Sequence, residues 1–162
     1  MLFLDRIIEA QCDKGYYITY SRGKRGQAPF AHTIGLASYD MPELFISGLG
    51  RTLSRNLLCQ MTEFMLSGYE IAPGIAYDQF FEDMKCAFGV VHKAFYPYYF
   101  GKAIRHYYHH TDFKVLQCVW PNAVFSPGEI SVTKQDILIS EMPKVNSELV
   151  VHDPDLNPGP SS

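Results

Sequence analysis

The sequence predicts an α+β domain: a mixed, mostly antiparallel sheet of about five strands with three helices, placed largely on one face. Three observations carry this reading. Apolar alternation recurs in short runs at 15–21, 30–36, 43–48, 84–91 and 113–120, the period of a strand with one buried side. Segments 51–67 and 97–109 instead carry apolar residues at helical spacing. The order is helix, three strands, helix, strand, helix, strand, a clustering that a repeating βαβ fold lacks.

Each element has a local cause. Leu4, Ile7 and Ile8 give 2–10 a helical stripe, and Gly15 follows as its stop. The β-formers of Gly15-Tyr-Tyr-Ile-Thr-Tyr-Ser21 and Phe30-Ala-His-Thr-Ile-Gly-Leu36 flank a loop with two Gly and one Pro, predicting a long hairpin connection. A third strand, Glu43 to Gly48, follows the turn Ser38-Tyr-Asp-Met-Pro42. In the helix at 51–67, Leu53, Leu57, Leu58, Met61, Phe64 and Met65 fall within an arc of about 140°. Arg55, Asn56, Thr62 and Glu63 take the other side, and Gly68 closes the helix. Beyond the Pro73-Gly74 turn, Met84–Val91 reads as a strand. Pro97 opens the next helix, where a first-turn proline is tolerated; its apolar face is Phe100, Ala103, Ile104, Tyr107 and Tyr108. Phe113–Trp120 is stopped by Pro121, and 130–133 and 136–140 are expected as short strands or an extended arm.

With 162 residues the chain can bury one self-sufficient core and has no room for a second ordinary domain. We expect one α+β domain over 1–142 and a flexible, acidic Pro/Gly-rich tail over 143–162. Aromatics make up 14% of the residues, so much of the core must be ring packing. The net charge of −3 excludes bulk nucleic-acid binding, which needs a concentrated basic field. The excess is local: Glu129, Asp136, Glu141, Glu148, Asp153 and Asp155 outnumber Lys134 and Lys144 in the last stretch. No run approaches the length of a membrane span. The N-terminus is charged from Asp5, so neither a membrane nor a secretory route is expected. Cys12, Cys59, Cys86 and Cys118 include no close pair, which fits free thiols in a cytoplasmic protein. Alternation buries Cys86 and Cys118, whereas Cys59 falls outside the apolar arc of its helix and is expected exposed.

Walker, Gly-x-Gly-x-x-Gly, Gly-x-Ser-x-Gly and His-Glu-x-x-His motifs are absent, and with them the chemistries they carry. Arg22-Gly-Lys24-Arg25 is a compact basic loop, read as solvated charge. His106 and His110 stand four apart, the spacing at which two imidazoles share a metal. Lys102 and Arg105 on the same face oppose a dication, so no metal and no cofactor is assigned. His32 alternates with Phe30 and Ile34 onto an apolar side and needs a hydrogen-bond partner, for which Glu43 is a candidate.

Two functional readings follow. The first is a small binding module, without catalysis, for a small polar ligand or a protein partner. Its site would lie where the strand ends meet, at His32, Thr33, Glu43, Gln117 and Trp120. The alternative is a hydrolase or transferase with His32 as general base, oriented by Glu43.

Three segments together carry a family resemblance: Phe30-Ala-His-Thr-Ile-Gly-Leu36, Pro42-Glu-Leu-Phe-Ile-Ser-Gly-Leu49 and Phe113-Lys-Val-Leu-Gln-Cys-Val-Trp-Pro121. In order and spacing they resemble the domain of unknown function 4262 family over roughly residues 10–125. The resemblance implies a common fold and a bacterial or phage origin, and it implies no reaction. It also implies His where this chain has Met41 and Asp where it has Asn122. The segment Asp153-Pro-Asp-Leu-Asn-Pro-Gly-Pro160 resembles the viral ribosome-skipping motif, with Asp155 in place of its Glu. It is read here as part of the tail.

Overall fold

A computed structural model of the chain describes residues 15–82, 84–121 and 135–139. Among them five strands form one sheet: β1 (Tyr17–Ser21), β2 (Phe30–Ile34), β3 (Glu43–Ser47), β4 (Ala87–Val90) and β5 (Val115–Val119). Their spatial order is β1-β2-β3-β5-β4. Every pairing is antiparallel except β3 with β5, which run parallel with Glu43 opposite Val115. Helix α1 (Arg51–Leu66) connects β3 towards β4, and the short helices α2 (Tyr96–Tyr99) and α3 (Gly101–His106) precede β5. This is the α+β class, with a five-stranded mixed sheet and three helices. The helix expected at 2–10, the strand at 130–133 and the tail at 143–162 lie outside the described residues.

The helices divide between the two faces of the sheet instead of sharing one. Alternation along the central strands shows why: β2, β3 and β5 are buried at every position. A strand buried at consecutive residues has apolar groups on both sides, and each side needs a cover. Ala31, Leu44, Ile46, Leu116 and Cys118 turn to one face, under Leu57, Leu58 and Met61 of α1. Phe30, Ile34, Phe45 and Val115 turn to the other, under Tyr96, Phe100 and Ala103. The second face is ring packing, with Phe100 edge-on to Phe45 at 5.4 Å. Truncating a fully buried anchor such as Leu58 to Ala costs about 2–5 kcal/mol in a core of this kind.

Two helices depart from their expected faces. The buried residues of α1 include Ser54 and Thr62, whereas Leu53 is half exposed. The true buried arc is turned by about 40° from the apolar one, at 100° per residue. Small Ser54 and Thr62 are fully buried on that side, although their hydroxyls find no partner. Cys59 is half-buried against the core, not exposed. The helix expected over 97–109 is two pieces broken at Phe100, whose φ of −118° is off the helical value, and it ends at His106. Tyr108 and His109 then take left-handed backbone with φ of 58° and 68°. That reversal leaves Tyr108 exposed, where an apolar-face position had been expected, and aims Tyr107 inward.

Residues 135–139 lie as an arm against the ring-packed face over β5 and β4, with a bridge between Val91 and Ile139. Gly89 makes that contact close, because a Cβ there would stand 2.8 Å from Ile139 Cδ1. Among the described residues no helix is long and apolar enough to cross a membrane.

Candidate functional site

The five residues singled out at the strand ends are all buried, none more than 2% exposed. The fold does not gather them into one cavity. Each is held by the protein's own groups, and they fall into three places.

The first is a nest around Glu43. The chain leaves β2 through Gly35, whose φ of 119° is left-handed and whose missing Cβ would strike Gly15 O at 2.8 Å. A one-turn 3₁₀ helix, Leu36–Tyr39, follows. This sharp turn leaves backbone N–H groups pointing inward, and Glu43 at the start of β3 meets them. Its Oε2 accepts from Gly35 N at 3.1 Å and Ala37 N at 3.2 Å. Its Oε1 accepts from Leu36 N at 3.3 Å and from the Thr33 hydroxyl at 2.7 Å. The Tyr107 hydroxyl accepts from Gly35 N at 2.9 Å and donates to Glu43 Oε2. Burial pushes the Glu43 carboxyl above its ordinary range, and the donors from Tyr107, Thr33, Ala37 and Gly35 pull against that rise. Burial also raises Tyr107, with the Glu43 carboxylate adding to it. The nest therefore holds a turn in shape: five donors share one carboxylate.

The second place is His32, on the ring-packed face. Phe100 stands edge-on to it at 4.9 Å, and Phe30 lies nearly parallel at 6.3 Å. Nδ1 faces the Thr33 carbonyl oxygen at 3.1 Å, and since a carbonyl only accepts, the neutral ring carries its proton on Nδ1. Burial lowers its pKa to about 4, the Thr33 bond opposes that, and nearby Lys102 adds to it. Imidazole and carboxylate are not joined: none of the hydrogen bonds to Glu43 comes from His32.

Gln117 and Trp120 make the third place, with the 135–139 arm. Gln117 Nε2 donates to Asp136 O at 2.6 Å, while its Oε1 accepts from Leu138 N at 2.8 Å. Trp120 Nε1 donates to Ser47 O at 3.0 Å. Asp136, which sequence reading placed only in an arm, accepts from Ala28 N at 2.8 Å and from the Tyr99 hydroxyl at 2.9 Å. Tyr99 is pushed up to about 12 by burial and by Asp136. Gln117 is thus a clamp for the arm.

The histidine pair does not keep its helical register, because α3 ends at His106. The His106 ring packs edge-on to Tyr17 and Tyr107. His110 lies beyond the reversal, beside a cleft of about 360 Å³ with Ser38, Tyr108 and Asp112. Among the described residues no group of three or more His, Cys, Asp or Glu could hold a metal ion. Cys86 and Cys118 are both buried, and burial pushes the Cys118 thiol well up, with Cys86 adding to the effect.

A cleft roomier than the one beside His110 lies elsewhere, where the N-terminal ends of β3 and β5 meet the end of α1. It measures about 470 Å³. Met41, Pro42, Met65, Ile71 and Leu116 give it an apolar lining, with Met65, Ile71 and Leu116 buried beneath. Three charged residues also line it: Asp40 from the turn before β3, Lys114 from the start of β5, and Glu70 from the segment after α1. None of these three side chains has a hydrogen bond or ion pair among the described residues. Tyr69 is 62% exposed at the edge, its ring stacked on Phe64 at 5.0 Å. Sequence reading missed Asp40, Glu70 and Lys114, which come from two turns and a strand end with no shared spacing. Met41, where the family resemblance implies His, lines this cleft, and Asn122 lies outside the described residues.

The family described as Domain of unknown function (DUF4262) matches residues 12–124. No curated protein and no solved structure matches the chain.

Proposed function

Since the chain belongs to the DUF4262 family, a domain of unknown function whose name assigns no chemistry, we propose from geometry that it is a binding module for a small ligand. The ligand sits in the 470 Å³ cleft at the N-terminal ends of β3 and β5. One observation carries the reading: this cleft joins an apolar floor to three charged side chains with no partner among the described residues. Sites for small molecules have that composition, a mostly apolar concavity of about 300–1,000 Å³ with a few polar groups that fix orientation.

The buried polar residues then have a positioning role. Glu43 and Thr33 fix the turn at 35–39, and that turn delivers Asp40, Met41 and Pro42 to the cleft wall. A general base at His32 is disfavoured by its burial among rings and by the absence of a carboxylate partner on its Nδ1.

Native mass spectrometry of the purified chain tests the reading. The unmodified protein should carry a small molecule or bind one from a metabolite panel, while Val90→Trp, a substitution at a half-exposed lining residue, should abolish binding without lowering Tm. Binding that survives Val90→Trp, or no binding by either protein, refutes it.

A further inference from the structure

We propose that this cleft takes a zwitterion with an apolar body, a free apolar α-amino acid or a short peptide of such residues. Its ammonium group sits at Glu70 and Tyr69, its carboxylate at Lys114, and its side chain on Met65, Ile71 and Leu116. The inference rests on reading this cleft as the ligand site and deepens that reading.

Both signs of charge line the cleft, and they do not neutralise one another. Asp40, Glu70 and Lys114 make no ion pair among the described residues. A bare amine would leave its charge facing Lys114, and a bare carboxylate would face Asp40 and Glu70. Like charges brought together on a half-enclosed surface count against binding. A neutral apolar ligand leaves all three groups to water. A zwitterion meets both signs at once, and the excess of one acid over the base disfavours a second carboxylate.

The two ends are distinguishable. Stacking on Phe64, with 18° between the rings, fixes the Tyr69 ring while leaving it open to solvent, and Glu70 follows it in the chain. An aromatic π-system beside a carboxylate is an environment for an ammonium group. Lys114 lines the cleft from a different element, the start of β5, placed by the β3–β5 pairing, in which Glu43 N donates to its carbonyl at 2.8 Å.

Titration calorimetry of the full chain with four probes tests this: L-leucine, L-leucyl-L-leucine, 3-methylbutylamine and 4-methylpentanoate. We expect leucine or the dipeptide to bind, the stronger of the two identifying a free amino acid or a peptide as the source. The amine and the acid should each bind about tenfold more weakly. Lys114→Met should erase the advantage over the amine, and Glu70→Gln the advantage over the acid; both residues are exposed, so folding is not at stake. Equal affinity for amine and amino acid, or a preference that survives Lys114→Met, overturns the proposal. Failure of both zwitterions, while another molecule binds in a Val90→Trp-sensitive way, overturns the ligand class and leaves the site standing. Failure of every ligand at the cleft removes both.

Discussion

Acidification from pH 7 to pH 4 should destabilise this fold through His32, and the amount follows from its surroundings. The ring is 2% exposed, edge-on to Phe100 and bonded only to a neighbouring carbonyl oxygen. Adding a proton there places a charge among aromatic rings, near Lys102, with no carboxylate to receive it. Its pKa is about 4 in the fold against 6.5 for an ordinary histidine. A lowered pKa on a base means the unfolded chain binds the proton first. The contribution to stability is therefore fully present above pH 6.5 and is lost as pH falls towards 4. Two and a half pH units at ~1.4 kcal/mol each come to about 3 kcal/mol, a sizeable part of a marginal fold. Urea denaturation of the wild type and of His32→Gln across that range isolates the effect, since every other titrating group is shared. The wild type should lose about 3 kcal/mol relative to the variant between pH 7 and 4. Curves that stay parallel would show that the ring is charged in the fold or reached by solvent, and the packing argument would fail.

Glu43 should behave with the opposite sign. Because burial raises its folded pKa, the stability it gives is present below its unfolded value and fades as pH climbs through the raised one. Glu43→Gln, which turns an amide donor towards a ring of donors, should cost about 2 kcal/mol near pH 7 and more in acid; a penalty that grows with pH in denaturation experiments would contradict this. Thr62→Val removes a buried hydroxyl that has no partner and should stabilise the protein by about 1 kcal/mol, a rise in Tm of about 2–4 °C. A lower Tm would mean that the hydroxyl is satisfied after all. Asp136→Ala strips acceptors from Ala28 N and the Tyr99 hydroxyl and should cost about 1–2 kcal/mol. Hydrogen exchange should then speed up at Ala28, and unchanged protection there would exclude the arm as a clamp.

Much of the fold was legible because its causes are local. Alternation in Phe30–Ile34, Glu43–Ser47 and Val115–Val119 located three strands to within a residue or two. The same alternation misled about layers: it asked for one apolar side, whereas Phe45 and Leu44 are both fully buried on opposite faces. Pattern reading also assumed that the apolar stripe of a helix is its buried stripe. In α1 that fails at Leu53, which is half exposed, and at Thr62, which is buried, because which side of a helix meets the sheet is a tertiary quantity. His32 and Glu43 were legible as buried polar residues needing partners, but not which partners. Those are backbone groups of a turn, and a turn's N–H directions cannot be read from residue types.

The same distinction separates the polar residues that look chemical from those that meet solvent. A sheet covered on both faces has no free interior surface, so the polar side chains of its strands find their partners within the protein. Glu43, Gln117 and Trp120 meet that condition with turn, arm and strand atoms, which leaves them committed. Chemistry offered to another molecule must then come from where strands stop. At the N-terminal ends of β3 and β5 the register sets Pro42 beside Lys114, and the carboxylate nest fixes the turn that brings Asp40 there. Glu43 thus acts on the cleft through backbone, and its loss should weaken ligand binding at the cleft by loosening that wall. Thr33→Val, which removes one of the five donors and leaves the carboxylate in place, should weaken binding less than Glu43→Gln does. Affinity for L-leucine unchanged in Glu43→Gln, measured by calorimetry, would mean that the nest and the cleft are not coupled.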